Sequence, residues 1–230
     1  MQIKKASDIK RHDLWRILIY SKPGIGKTTA IGRLVGKTLV LDMDGSSKVL
    51  AGKKNVDIIE FDRNNPVDFM TEFLKAAPEM VKGYDNLIVD NISAFQMDFF
   101  VFMGKSSHNG ISNELQHYGQ FTNYFIRVLT AIYSLPLNVM LTAWEDVRDV
   151  ELPTGQKVSQ YIPQIRLQVI NPLLGLTDIV GRLLTNEQTG ARGLILEGND
   201  GVYAKNRLDN RKGCKVEELF KFGDVDAKAT

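Results

Sequence analysis

The segment Ile17-Leu-Ile-Tyr-Ser-Lys-Pro-Gly-Ile-Gly-Lys-Thr-Thr29 constrains the fold more than any other in the 230-residue chain. An apolar run breaks into a glycine-bearing turn that ends in Lys-Thr. By pattern, Trp15 to Tyr20 is a buried strand, Ser21 to Gly26 a loop and Lys27 to Val35 a helix. That order aims the loop amides and the positive helix end at one point, a geometry suited to phosphate. Lys27 is then placed for β- and γ-phosphates and the Thr28 hydroxyl for Mg²⁺. Ser21, Lys22, Pro23, Gly24, Ile25, Gly26, Lys27, Thr28 and Thr29 form the expected cradle. The pattern opens on Gly, whereas this chain has Ser21. The loop tolerates that if Ser21 needs no positive φ, because Gly24 and Gly26 keep the inner turn permissive.

Short apolar segments alternate with helical ones beyond the loop. Residues 15–20, 38–42, 56–61, 87–90 and 139–143 read as strands, and 27–35, 67–82, 94–103 and 114–134 as helices. The alternation predicts an α/β fold, a mainly parallel sheet flanked by helices. After Trp144 the pattern changes. Residues 147–152 and 157–162 flank Pro153-Thr-Gly-Gln156 as a hairpin, and 178–184, 194–197 and 202–205 read as further strands. An antiparallel C-terminal extension is therefore expected, within one domain over 1–222, with 223–230 a flexible tail.

Bulk properties exclude several classes. With 29 basic and 27 acidic residues the net charge is +2, so any nucleic-acid contact must be a local patch. Cys214 is the single cysteine, which excludes an internal disulfide and fits a reducing compartment. No apolar run is long enough to span a bilayer, and the first residues lack the apolar core of a signal peptide. A cytoplasmic protein without a membrane partner is expected.

Three strand ends face the loop in such a sheet, because strand C-termini line the ligand crevice. Asn86-Leu-Ile-Val-Asp90 ends in a carboxylate suited to hold Mg²⁺. Thr38-Leu-Val-Leu-Asp-Met-Asp44 offers Asp42 and Asp44, which point to opposite faces if the strand continues. Asp44, nearer the loop, is the choice for a base that orients water at the γ-phosphate. Val139-Met-Leu-Thr-Ala-Trp-Glu145 carries Thr142 and Glu145; Glu145 either contacts the attacking water or pairs with Arg148. In Val202-Tyr-Ala-Lys-Asn-Arg-Leu208, Lys205 and Arg207 share a face. They form either a cationic clamp for phosphoryl charge or a solvated basic strand edge. His12, His108 and His117 lack metal-ligand spacing.

These pieces, in this order, resemble RecA-type ATPases over roughly residues 15 to 210. With Thr-Ala-Trp-Glu145 and the late Lys205-Asn-Arg207, the chain more specifically resembles small phage-encoded RecA-like single-strand annealing proteins, the RecA-like branch of the Sak group. The resemblance implies an ATP- and Mg²⁺-dependent homo-oligomer, ring or filament, with active sites between subunits, in host cytoplasm. It implies binding to single-stranded DNA beside a single-strand DNA-binding protein. It makes Asp44 the water-activating residue, one methylene shorter than the family's Glu, which implies slow, DNA-stimulated hydrolysis. It implies that Lys205 and Arg207 reach a neighbour's nucleotide. It also assigns two DNA-facing loops: Gly104 to Gly110, with Lys105 and His108, and Arg148 to Arg166, with Arg148, Lys157, Tyr161 and Arg166. Tyr161 would stack on bases. Two other functions fit the same residues: a helicase loader or motor accessory acting on a protein partner, and a non-hydrolysing nucleotide-binding regulator.

Overall fold

Alternate side chains of the central strands enter two different apolar layers, so the sheet is covered on both faces. The computed structural model describes residues 5–8, 10 and 12–222; the expected tail over 223–230 lies outside them. The strands are β1 (Arg16–Ser21), β2 (Thr38–Asp42), β3 (Val56–Glu60), β4 (Asn86–Asp90) and β5 (Asn138–Glu151). They continue with β6 (Lys157–Pro163), β7 (Ile179–Thr185), β8 (Arg192–Ile195), β9 (Lys205–Asn206) and β10 (Gly213–Lys215). The helices are α1 (Lys27–Ile31), α2 (Pro66–Met80), α3 (Ile92–Lys105), α4 (Leu115–Tyr133) and α5 (Leu167–Leu176).

The strand order is β10-β8-β7-β1-β5-β4-β2-β3. From β7 to β3 all pairs are parallel, whereas β8, β9 and β10 join antiparallel at one side. The expected fold class is thus the observed one. Ile17 and Ile19 face a layer with Ala30 and Ile31 of α1, Leu50, Leu208 and Leu219. Leu18 and Tyr20 face the other, built from Phe73 of α2, Phe95 of α3, Phe121 of α4 and Leu173 of α5. Four helices cover one face; α1 and irregular chain cover the other.

The structure departs from expectation in several places, among them β10, a strand not expected, and β7, which pairs parallel with β1 rather than joining the antiparallel extension. Helix α1 ends at Ile31 rather than Val35, because Gly32 and Gly36 (φ 90°) interrupt it. The strand at 139–143 and the first hairpin arm are one continuous strand, β5, paired with β6 from Glu145↔Pro163 to Glu151↔Lys157. Helix α5 forms where no helix was expected; Pro172 and Gly175 inside it mask an apolar stripe of Val169, Ile170, Leu173 and Leu174. The strand expected at 202–205 is a bridge at Val202 followed by β9. Among the described residues no helix is long and apolar enough to cross a membrane.

Phe121 is fully buried, with the rings of Phe99, Phe100 and Phe125 centred 5.1, 5.1 and 5.5 Å away. Phe121→Ala should cost about 3–5 kcal/mol, since the cavity it leaves is walled by rigid rings. Urea unfolding checks this; a loss below about 1 kcal/mol would contradict the packing.

Candidate functional site

Gly24 and Gly26 adopt φ of 81° and 106°, values that L side chains rarely take, and they turn the chain tightly between β1 and α1. Ser21 closes β1 and is fully buried; among the described residues the only non-glycine with positive φ is Leu14. The serine therefore sits in the glycine position without backbone strain. Its hydroxyl donates to the Lys22 carbonyl at 2.9 Å. Lys27 Nζ folds back over the loop and donates to Ser21 O and Oγ, both at 3.2 Å, and to Lys22 O at 3.3 Å. Burial lowers the Lys27 pKa, while the charges of Asp90, Asp44 and Glu145 raise it.

The acid end of the site is assembled by sheet register. Asp42 pairs with Asp90 across β2 and β4, and Thr142 lies on β5 beside them. Asp90 accepts from Thr28 Oγ1 at 2.6 Å, Ser46 Oγ at 3.3 Å and Thr142 Oγ1. Burial pushes its carboxyl pKa up, opposed by the bonds from Thr142 and Thr28. Asp42 turns away from this cluster. It accepts from the amides of Gly45, Ser46 and Ser47 and the Ser47 hydroxyl, so it ties the end of β2 to the 46–50 turn. Asp44 is half-buried in the cavity wall, held by the Ser46 amide at 3.1 Å and by Asn91 Nδ2.

A cavity of about 470 Å³ joins Gly24, Lys27, Thr28, Asp44, Ser46, Arg63, Asp90 and Trp144. A second, of about 290 Å³, shares Gly26 and Thr29 and continues to Arg33, Arg192, Lys215 and Glu217. A Cβ on Gly26 would lie 2.8 Å from Arg192 Cζ, so that guanidinium lies against the loop. A larger recess, about 590 Å³, opens near Asp13, Tyr84 and Asn138, at the strand N-termini and away from the phosphate loop.

Glu145 is not bonded to Arg148 as one expectation had it. It takes Arg182 Nε at 2.7 Å and Nη2 at 3.2 Å, with side chains 3% and 11% exposed. The same guanidinium lies 3.4 Å from the centroid of the Tyr161 ring. That ring face is occupied, which removes it as an open stacking platform. Arg148 is bonded to Gln160 across the hairpin, at 3.3 and 3.0 Å. Arg166 packs 4.9 Å over the Tyr118 ring, and its Nε is buried without a partner among the described residues. Lys105, His108 and Lys157 are exposed. Asp146, Asp149 and Glu151 are exposed on the same hairpin as Arg148 and Lys157, so this element is not a basic patch.

Lys205 and Arg207 do act on one face: Lys205 Nζ donates to Leu174 O, and Arg207 Nη1 to Gly175 O at 3.0 Å. Burial and the neighbouring Arg207 bring the Lys205 pKa down to about 8. The Arg207 amide bonds to Asp178, whose own amide bonds to Arg16, the first residue of β1. Ser21 is at the other end of that strand, about 16 Å away at strand rise. The two cations and the phosphate loop of one chain are therefore at opposite ends of the sheet.

Sequence reasoning missed Ser46, Asn91, Arg63, Arg182 and Arg192. Arg182 had a signal, a cation inside the apolar run Ile179 to Leu184, and Asn91 directly follows the expected acid. Arg192 and Arg63 had none, since only the fold brings them to the loop.

The strand–loop–helix cradle, the acid-ended strands and the mainly parallel sheet define a P-loop nucleotide-binding protein. The chain belongs to the AAA domain family, whose profile matches residues 13–208. Similar solved structures include a KaiC-like protein of the hyperthermophilic archaeon Pyrococcus horikoshii, with TM-score 0.46 and 13% identity over 80% of this chain and 78% of that one. Another is the RadB recombinase, with TM-score 0.46 and 10% identity over 80% of each chain. No curated protein matches the chain.

Arg182→Met should cost about 3–5 kcal/mol, because Glu145 is left buried and unpaired. Adding Glu145→Leu should restore most of the loss, read as a coupling energy in a denaturation cycle. Additive losses would mean that the pair does not act as one.

Proposed function

We propose that the chain is an ATP-hydrolysing, single-strand-annealing recombination protein of the RecA-like Sak type, working as an oligomer. The observation that carries the nucleotide part is the Thr28–Asp90–Ser46 oxygen cluster beside the glycine loop. Thr28, Ser46 and Asp90 offer hard oxygen donors of the kind magnesium takes beside nucleotide phosphates, and they would hold it. Once bound, that cation neutralises phosphate charge. Loop amides and Lys27 hold the β- and γ-phosphates; Lys27 leaves the Ser21 and Lys22 carbonyls to do so. Thr29, Arg33 and Arg192 border the recess that takes the nucleoside end. Asp44, oriented by Asn91 and the Ser46 amide, positions water in line with the γ-phosphate and accepts its proton.

Coupling follows from β5. Thr142 bonds to Asp90, and the same unbroken strand continues through Glu145 to the hairpin arm. A change at the γ-phosphate is therefore passed along one rigid element. Lys205 and Arg207 lie too far from their own loop to serve it, so any role at a nucleotide would be on an adjoining subunit. The exposed Lys105, His108 and Lys157 are the best remaining contacts for single-stranded DNA. A second reading has its own support: the acidic hairpin, with its Val147 47% exposed and with exposed Met97 on α3 and Leu167 on α5, suits a protein partner better than a phosphate backbone. In that case the chain is a helicase loader or motor accessory.

Lys27→Ala should abolish nucleotide binding and leave the circular dichroism spectrum unchanged; undiminished affinity would remove the site. Arg207→Ala should bind ATP normally and lose DNA-stimulated turnover, by about 10³-fold if it acts as a finger. Mixing it with Lys27→Ala protein should restore part of that turnover, and no rescue at any ratio would reject action in trans. ATPase assays with and without single-stranded DNA across a salt series decide between the partners. Stimulation that falls with salt is expected for DNA; stimulation by protein alone favours the loader.

A further inference from the structure

We propose that Arg63 reads the γ-phosphate in cis: clamped by buried Asp98, it is the group that distinguishes a triphosphate from a diphosphate in this site. The inference rests on the nucleotide reading above and adds a contact to it. Asp98 lies on α3 between Met97 and Phe99 and is 6% exposed. A carboxylate in that setting requires a charged partner. Arg63 supplies one, with Nε to Oδ2 at 2.8 Å and Nη2 to Oδ1 at 2.9 Å. This parallel fork fixes the plane of the guanidinium. Among the described residues Nη1 makes no hydrogen bond, which leaves that edge for a ligand.

The backbone is held on both sides of Arg63. Phe61 is locked between the rings of Phe69 and Phe95, at 5.0 and 5.8 Å. Asp62 accepts from the Asn64 amide and from Asn65 Nδ2, at 2.9 and 2.8 Å. A half-exposed arginine is thus pre-oriented from three directions, at the cavity wall that also holds Lys27, Thr28, Asp44 and Asp90. Its pKa is pushed up, first by the Asp98 bond and in part by Asp44.

Polarity of the cleft assigns the phosphate. Arg33 and Arg192 lie toward the other recess, so the nucleoside runs that way and the terminal phosphate faces Asp44 and Arg63. The wall there is acidic, with Lys27 as the other cation. A further negative phosphate needs a second cation, and Arg63 is the one in place. Its loss removes an interaction made by the γ-phosphate alone.

The test measures, by calorimetry on the full chain with magnesium, the affinities for ADP and a non-hydrolysable ATP analogue, with the guanine pair in parallel. Arg63→Ala should weaken the triphosphate analogue about tenfold or more while the diphosphate stays within about twofold, as expected for loss of a charged hydrogen bond. Arg63→Lys, which keeps the charge and a bond to Asp98, should fall between. Asp98→Asn should reproduce the loss of discrimination in weaker form. A triphosphate-to-diphosphate ratio unchanged in both Arg63 variants overturns the proposal and leaves the nucleotide site standing. Wild-type protein that binds none of the four nucleotides overturns both.

Discussion

A carboxylate taken out of water at the end of a strand has to be surrounded by donors, and Asp90 sets the arrangement of everything around it. Its oxygens draw in Thr28 from the helix after the loop, Ser46 from the turn after β2 and Thr142 from β5. Three separately folded segments therefore meet at one side chain. Each is brought there by register: β4 lies between β2 and β5, and β1 adjoins β5 on its far side. The same contacts that satisfy a buried acid also gather hydroxyl oxygens beside a phosphate-binding turn. Burial raises the energy of the ionised acid, and those donors lower it again.

Much of this was legible in sequence because it is local. The apolar run of β1, the glycines and Lys27-Thr28 fall within one short stretch, and the backbone bears out the reading of Gly24 and Gly26 as the permissive turn residues. Parallel strands also announce themselves, since residues buried on both faces give continuous apolar runs. What was not legible is contact between distant segments. Arg182 meets Glu145 only because β7 and β5 flank β1, and Arg63 meets Asp98 only because the 61–65 loop folds onto α3. Helix α5 was hidden by Pro172, and the reach of α1 was overstated because Gly32 was not weighed as a stop. Pattern likewise gives the place of Tyr161 on a strand, not the Arg182 guanidinium that lies against one face of its ring.

The shortness of α1 bears on how phosphate is held. Five residues carry little macrodipole, so the loop amides, Lys27 and neighbouring cations have to supply most of the field. Arginines 63 and 192 stand at the two ends of the cleft, each fixed by the fold rather than by the loop. That division places charge where a long helix would otherwise have contributed it.

The two sets of cations then differ in what they can report. Arg63 belongs to the chain that owns the phosphate loop, so its response is available to a lone subunit. Lys205 and Arg207 cap the carbonyl end of α5, at the far end of β1, and bear on phosphate only through a second copy. Burial and Arg207 lower the Lys205 pKa to about 8, so a neighbouring anion would further stabilise its charged form. If the chain assembles as proposed, Arg63 serves recognition of the triphosphate within one subunit, whereas Lys205 and Arg207 meet phosphate only after a second subunit has joined.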